Sequence, residues 1–272
     1  MTFLDKLKNK WNQGKFICVG LDPDYSKLPE NLKNGTSVED NLLSFNKNII
    51  DQTFDLVCSY KLQSAFYEVF GEVGWRVLKK TALYIQEKYS DIPIILDAKR
   101  GDIGSSNEAY ATAIFDYLGF DAVTVHPYLG EEALEPFLER VDKGIIVLVR
   151  TSNPGAPEFQ DLIVEGKGLP LYQVVAENVT KNWNHNGNLG VVVGATYPEE
   201  LKKVREIVGD LPILIPGIGA QGGDVYETVQ AGKDSKGQGM IISSSRAIIF
   251  SDNPKQAALK LHEEIISYLK ND

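Results

Sequence analysis

Cysteine is scarce in this chain. Only Cys18 and Cys58 occur, each inside an apolar run, and with three histidines among 272 residues no His/Cys group has zinc-like spacing. A disulfide framework and a zinc site are therefore not expected, and both thiols read as reduced, buried, small hydrophobes of a cytosolic protein. A basic tract is missing too. The formal net charge is -9 at pH 7, which argues against nucleic-acid binding and requires that an anionic ligand be met by a local cluster of positive groups. Met1 to Lys8 mix acidic and basic side chains without a continuous apolar stretch, and no apolar run reaches membrane-spanning length. The expectation is a cytoplasmic protein with neither export signal nor membrane anchor. Linkers and low-complexity segments are also lacking, so 1–272 reads as one domain.

What is present is an alternation of strand-like and helical segments. A short amphipathic helix over 2–12, with Phe3, Leu4, Leu7 and Trp11 at helical spacing, precedes it. Strand-like runs follow at Lys15–Asp22, Leu56–Gln63, Pro93–Lys99, Ala122–Tyr128, Gly144–Arg150, Leu189–Thr196, Pro212–Gly219 and Gly239–Arg246. Between them lie helical patterns at Val38–Thr53, 74–89, Ser105–Leu118, 131–140, 169–182, from Tyr197-Pro198 onward, Gly223–Ala231 and Asn253–Leu269. The longest loop, Thr151 to Gly168, is rich in proline and glycine. Near-continuous apolar runs mark strands buried on both faces, as in a parallel sheet with helices outside. Eight such units favour a (β/α)8 TIM barrel over an open doubly wound sheet, although periodicity alone leaves the second possible.

In such a barrel, function belongs to the loops at the C-terminal ends of the strands, and the polar residues collect there. Asp22 ends the first strand, Lys61 the second, Thr124 and His126 the fourth, and Arg150 to Asn153 the fifth. The third ends in Asp97-Ala98-Lys99-Arg100-Gly101-Asp102. Alternate strand residues share a face, so Asp97 and Lys99 point the same way while Asp102 lies just past the end. Charges at the mouth of a core are costly unless paired, which points to a functional role for this stretch, with a structural ion pair closing the strand end as the alternative.

Gly217-Ile218-Gly219-Ala220-Gln221-Gly222-Gly223, after the seventh strand, has the small residues that let backbone N–H groups approach an anion. With Arg246 ending the eighth strand it forms a candidate phosphate site. His126 could act as a base, but a lone histidine at a strand end is more simply a hydrogen-bonded structural residue. Arg100, on the face opposite Lys99, reads as half of a structural charge pair.

Gly20-Leu21-Asp22, Lys61, Asp97-Ala-Lys99-Arg-Gly-Asp102-Ile103, Pro216-Gly-Ile-Gly and Arg246, in this order across the chain, resemble orotidine 5′-phosphate decarboxylase, whose signature is Asp-x-Lys-x-x-Asp. Arg150-Thr-Ser-Asn-Pro154 and the long fifth loop resemble the divergent bacterial-type branch. The resemblance implies decarboxylation of orotidine 5′-phosphate to UMP, the last step of de novo pyrimidine nucleotide biosynthesis, with no cofactor and no metal. It implies a charged tetrad of Lys61, Asp97, Lys99 and Asp102, with Lys99 protonating C6 and Asp97 lying against the substrate carboxylate. It further implies a homodimer in which Asp102 completes the neighbouring site. Asp22, Lys61 and Asp102 would hold ribose hydroxyls, while Gln221, Arg246 and the backbone of Gly217 and Gly219 would grip the phosphate. Ser152 is preferred for the pyrimidine edge, with Thr151 and Asn153 competing. Ser245 departs from the glycine common at that place in the family. A sugar-phosphate aldolase or synthase on the same scaffold, and a phosphate-ligand binding protein, are the alternatives.

Overall fold

In the computed structural model, which describes residues 1–33, 35–219 and 222–270, the apolar runs become β1 (Ile17–Gly20), β2 (Val57–Gln63), β3 (Ile94–Arg100) and β4 (Ala122–Val125), followed by β5 (Gly144–Arg150), β6 (Leu189–Val193), β7 (Ile213–Pro216) and β8 (Met240–Ser244). Each pairs in parallel with the next, and β1 pairs with β8, so the sheet closes into a barrel. The expected (β/α)8 TIM barrel is what forms. Closure leaves no free edge, and helices cover the outer face, which is why these strands tolerate apolar side chains on both sides.

Several strands end earlier than their apolar runs. β4 stops at Val125, before His126-Pro127, where proline has no N–H to continue the ladder. β1 stops at Gly20 and β7 at Pro216. The residues released this way form the loops that hold the polar groups.

Helical segments differ in detail. The segment expected over 105–118 is α-helical over Gly104–Ala111 and widens to a π-helix over Thr112–Tyr117. The one expected from 169 starts at Leu171, because Leu169–Pro170 pairs with Ile163–Val164 in a small antiparallel hairpin inside the long loop. Ala65–Glu68, Pro157–Gln160 and Arg246–Ile249 are single-turn helices, too short to show a period in the sequence.

The N-terminal helix, Phe3–Asn12, closes the end of the barrel where the strands begin. Phe3, Leu7 and Trp11 are buried, the Trp11 Nε1–H donates to the Met240 carbonyl (2.8 Å), and Lys6 pairs with Asp121 (2.8 Å). A capping box between Thr2 and Asp5 starts this helix, a device worth about 1 kcal/mol. Cys18 and Cys58 are both free and buried, as their apolar settings suggest. The Cys18 thiol lies with the hydroxyls of Ser59 and Ser243 inside the barrel, and burial pushes it up to about 11.

Candidate active site

Strand register brings the charged residues to one level. Gly20 of β1 is opposite Lys61 of β2, and Gln63, two residues on, is opposite Asp97 of β3. Lys61, Gln63, Asp97 and Lys99 all line one cleft of about 370 Å³ at the C-terminal mouth of the barrel, a size suited to a small molecule. Asp22 reaches the same cleft from the loop after β1.

Asp97 is the hub. Its Oδ1 accepts from Lys99 Nζ (2.7 Å) and from the Thr124 hydroxyl (2.8 Å), while its Oδ2 faces Lys61 Nζ and Gln63 Nε2, both at 3.2 Å. Burial opposes its ionisation, but the ammonium groups of Lys61 and Lys99 and these hydrogen bonds outweigh that cost and hold the carboxyl well below the usual range. Burial likewise pulls Lys61 down, and the carboxylates of Asp22 and Asp97 more than offset it, so Lys61 stays protonated above the ordinary lysine range. Asp22 stands 3.8 Å from Lys61 and is oriented by the Gln63 N–H (3.0 Å). Two carboxylates and two ammonium groups therefore alternate as Asp22, Lys61, Asp97, Lys99.

Lys99 owes its direction to an irregularity. Between Leu96 and Arg100 the β3–β4 register shifts, and Lys99 takes φ 47, a left-handed conformation shared by no other non-glycine residue among those described. Such a residue is strained by about 1–3 kcal/mol and persists only where its surroundings hold it.

The opposite wall comes from β5, β6 and β7 and from the ends of β5, β7 and β8. Leu148, Val192 and Leu214 are apolar; Thr151, Ser152, Gly217, Ser245 and Arg246 supply polar groups. Thr151 is already engaged: Gln160 accepts from its N–H (2.9 Å) and donates to its hydroxyl (2.8 Å), and that hydroxyl donates to Asn153 (2.7 Å). Asn153 does not line the cleft, so Ser152 is the member of this trio that lines it with no side-chain hydrogen bond among the described residues. Gly217 has φ 116, and its carbonyl accepts from the Gly223 N–H (3.1 Å). A Cβ on Gly223 would lie 2.9 Å from that oxygen and 2.7 Å from Ala195, so the loop folds this tightly only with glycine. The exposed Arg246 starts its single-turn helix at the cleft rim, and among the described residues no side chain pairs with its guanidinium.

Not every candidate converges. Asp102 does not line the cleft: its carboxylate accepts from the Ile103 N–H (2.7 Å), and Asn107 grips its backbone on both sides (3.0 and 2.6 Å). Gly219 is packed against Ala247 and does not line the cleft, and Gln221 lies outside the described residues. His126 Nε2 donates to the Gly101 carbonyl (3.0 Å), and Arg100 pairs with Glu68 (2.6 Å), the structural roles expected of both. The sequence reading passed over Gln63, although its position two residues from Lys61 puts both on one face. Phe66 and Ser243 also line the cleft and left no sequence signal beyond their place near strand ends. Among the described residues no group of three or more His, Cys, Asp or Glu side chains is arranged to hold a metal ion.

Residues 15–261 match the model of the orotidine 5′-phosphate decarboxylase / HUMPS family. A curated orotidine 5′-phosphate decarboxylase of Janthinobacterium sp. (strain Marseille) is 48% identical, covering 99% of this chain and 100% of its own. The solved structure of Leishmania donovani OMP decarboxylase superposes with a TM-score of 0.89 at 36% identity, covering all of both chains. That of Leishmania donovani UMP synthase gives a TM-score of 0.90 at 39% identity, covering 99% of this chain and 57% of the other.

Proposed function

The chain belongs to the orotidine 5′-phosphate decarboxylase / HUMPS family, and we propose that it converts orotidine 5′-phosphate to UMP with Lys99 as proton donor and with neither metal nor organic cofactor. The observation that carries this reading is the alternating Asp22–Lys61–Asp97–Lys99 array, facing across one cleft a glycine loop and an arginine with no charge partner among the described residues.

Substrate binding brings two anionic ends into a chain of net negative charge. Arg246 and the loop at Gly217 meet the phosphate, where a charge-assisted hydrogen bond contributes about 1.5–3 kcal/mol. Ser152 meets the pyrimidine edge, and Asp22 and Lys61 hold ribose hydroxyls. The substrate carboxylate then lies against Asp97, which its two ammonium neighbours keep ionised. Two unit charges at 4 Å repel by about 4 kcal/mol at an effective dielectric near 20, so departure of neutral CO₂ relieves this contact. As the C6–carboxyl bond breaks, its electron pair stays on C6. Lys99 attracts that new charge more strongly than it attracts the departing carboxylate, which is the differential interaction that accelerates a reaction. Nζ gives its proton to C6, a C–H bond forms, and the neutral amine regains a proton from solvent.

Asp102 acts in the site of a second copy of this chain in a homodimer. It does not line its own cleft, and Ile103 and Tyr128, on the neighbouring loops after β3 and β4, are exposed.

The test is to supply orotidine 5′-phosphate to the purified protein in EDTA and follow UMP and CO₂. Turnover is expected to persist in EDTA and to fall at least about 1,000-fold in Lys99→Ala, with UMP binding retained. Loss of turnover in EDTA would remove the metal-free reading, and near-normal turnover in Lys99→Ala would remove Lys99 as the donor.

A further inference from the structure

Thr124 has no place in the scheme above, yet its hydroxyl sits at the strained point of the site. It is 1% exposed and lies on β4 opposite the register shift, where Val123 pairs with Leu96 and Val125 with Arg100. The backbone of residues 97–99 therefore bulges away from the regular ladder. A regular parallel ladder would give the Lys99 N–H a backbone carbonyl. It donates instead to Thr124 Oγ1 (3.0 Å), and the same hydroxyl sends its one proton to Asp97 Oδ1 (2.8 Å). That carboxylate oxygen is also the one that Lys99 Nζ contacts at 2.7 Å.

We propose that Thr124 is a positioning residue for the decarboxylation: one buried hydroxyl ties the Lys99 backbone to the Asp97 carboxylate and so aims the ammonium. The proposal rests on the reading of Lys99 as proton donor. A hydroxyl is the group this place requires. It accepts and donates at once, whereas a carbonyl could only accept and a methyl could do neither. Without it, a buried carboxylate oxygen and the Lys99 N–H each lose a partner, and the left-handed backbone at Lys99 loses a hydrogen bond that holds it. The side chain of Lys99 is 45% exposed, so its ammonium has room to swing once the backbone relaxes. Thr124 has no direct contact with the cleft, so ground-state binding of a nucleotide should not depend on it.

Thr124→Val preserves shape and removes the hydroxyl; Thr124→Ser restores the hydroxyl without the methyl. The expected result is a fall in kcat of about ten- to hundred-fold for Thr124→Val, the scale of a small misplacement of a reacting group. KM and UMP affinity should stay within about threefold, and Thr124→Ser should recover most of kcat. A Thr124→Val kcat within about threefold of wild type overturns the proposal. So does a loss that Thr124→Ser fails to rescue, or one accompanied by an equal loss of UMP binding. An inactive wild-type protein would count against the decarboxylase reading instead. The positioning can then be read without turnover, from the ε-carbon NMR resonance of Lys99, assigned by its disappearance in Lys99→Ala. It should move toward that of a solvated lysine in Thr124→Val, and an unmoved resonance overturns the proposal.

Discussion

Asp97 stands between two ammonium groups, and this arrangement ties its protonation to folding. Its folded pKa is depressed below the ordinary 3.8, so its contribution to stability is fully present above that value and is lost progressively as pH falls below it toward the depressed folded pKa. The gap in urea midpoint between the wild type and Asp97→Asn should therefore be constant at neutral pH. It should shift against the wild type as pH drops below about 4; a gap independent of pH down to 3 would show that the carboxylate is not held in this way. Strand alternation led to the expectation that Asp97 and Lys99 share a face, but the strand bulges between Leu96 and Arg100, so their pairing forms through the irregularity at Lys99 and not through a regular two-residue repeat. The left-handed backbone at Lys99 was not legible in the sequence, since nothing in a lysine announces it; it follows from what β4 offers in return.

At the level of elements, neighbouring strands and the loops that follow them share boundaries. Arg150, buried at the end of β5, pairs with Asp161 (3.1 Å) and lies 4.2 Å from the Tyr197 ring, so the loop beginning at Thr151 is anchored on both sides. Ser152 is then pressed against Gly194, just past the end of β6, where a Cβ would come within 2.7 Å of the serine Cβ and 2.9 Å of its Cα. Relieving that contact means moving backbone rather than turning a side chain. Gly194→Ala should cost about 1–3 kcal/mol of stability, measured by urea unfolding. It should also lower kcat/KM for orotidine 5′-phosphate, and an unchanged kcat/KM would remove Ser152 from substrate contact. From sequence, Arg150 looked like one more polar residue at a strand end. Its anchoring role depends on Asp161 and Tyr197, which only the packed loop brings near.

Across the whole molecule, stability and chemistry occupy opposite ends of the barrel. Trp11 fills the end where the strands start, 4% exposed, with its indole N–H satisfied by Met240. Trp11→Ala should cost about 3–5 kcal/mol, because it empties a large buried volume and leaves a carbonyl without its partner. The measurement is a drop in Tm, with kcat unchanged at a temperature where the variant is folded. A matching loss of kcat would mean that the two ends are coupled.

The sequence by itself determined the runs that become strands, their number, and the chemical types gathered at their ends. These are local properties: hydrophobic periodicity, turn residues and spacing by two are written in neighbouring positions. Only the tertiary structure decided that the sheet closes between β1 and β8, that Asp22, Lys61, Asp97 and Lys99 form one array, and that Asp102 does not line the same cleft. It also decided that the Thr124 hydroxyl bridges Lys99 and Asp97. These depend on register between strands tens of residues apart, where a shift of one position would turn each side chain to the other face.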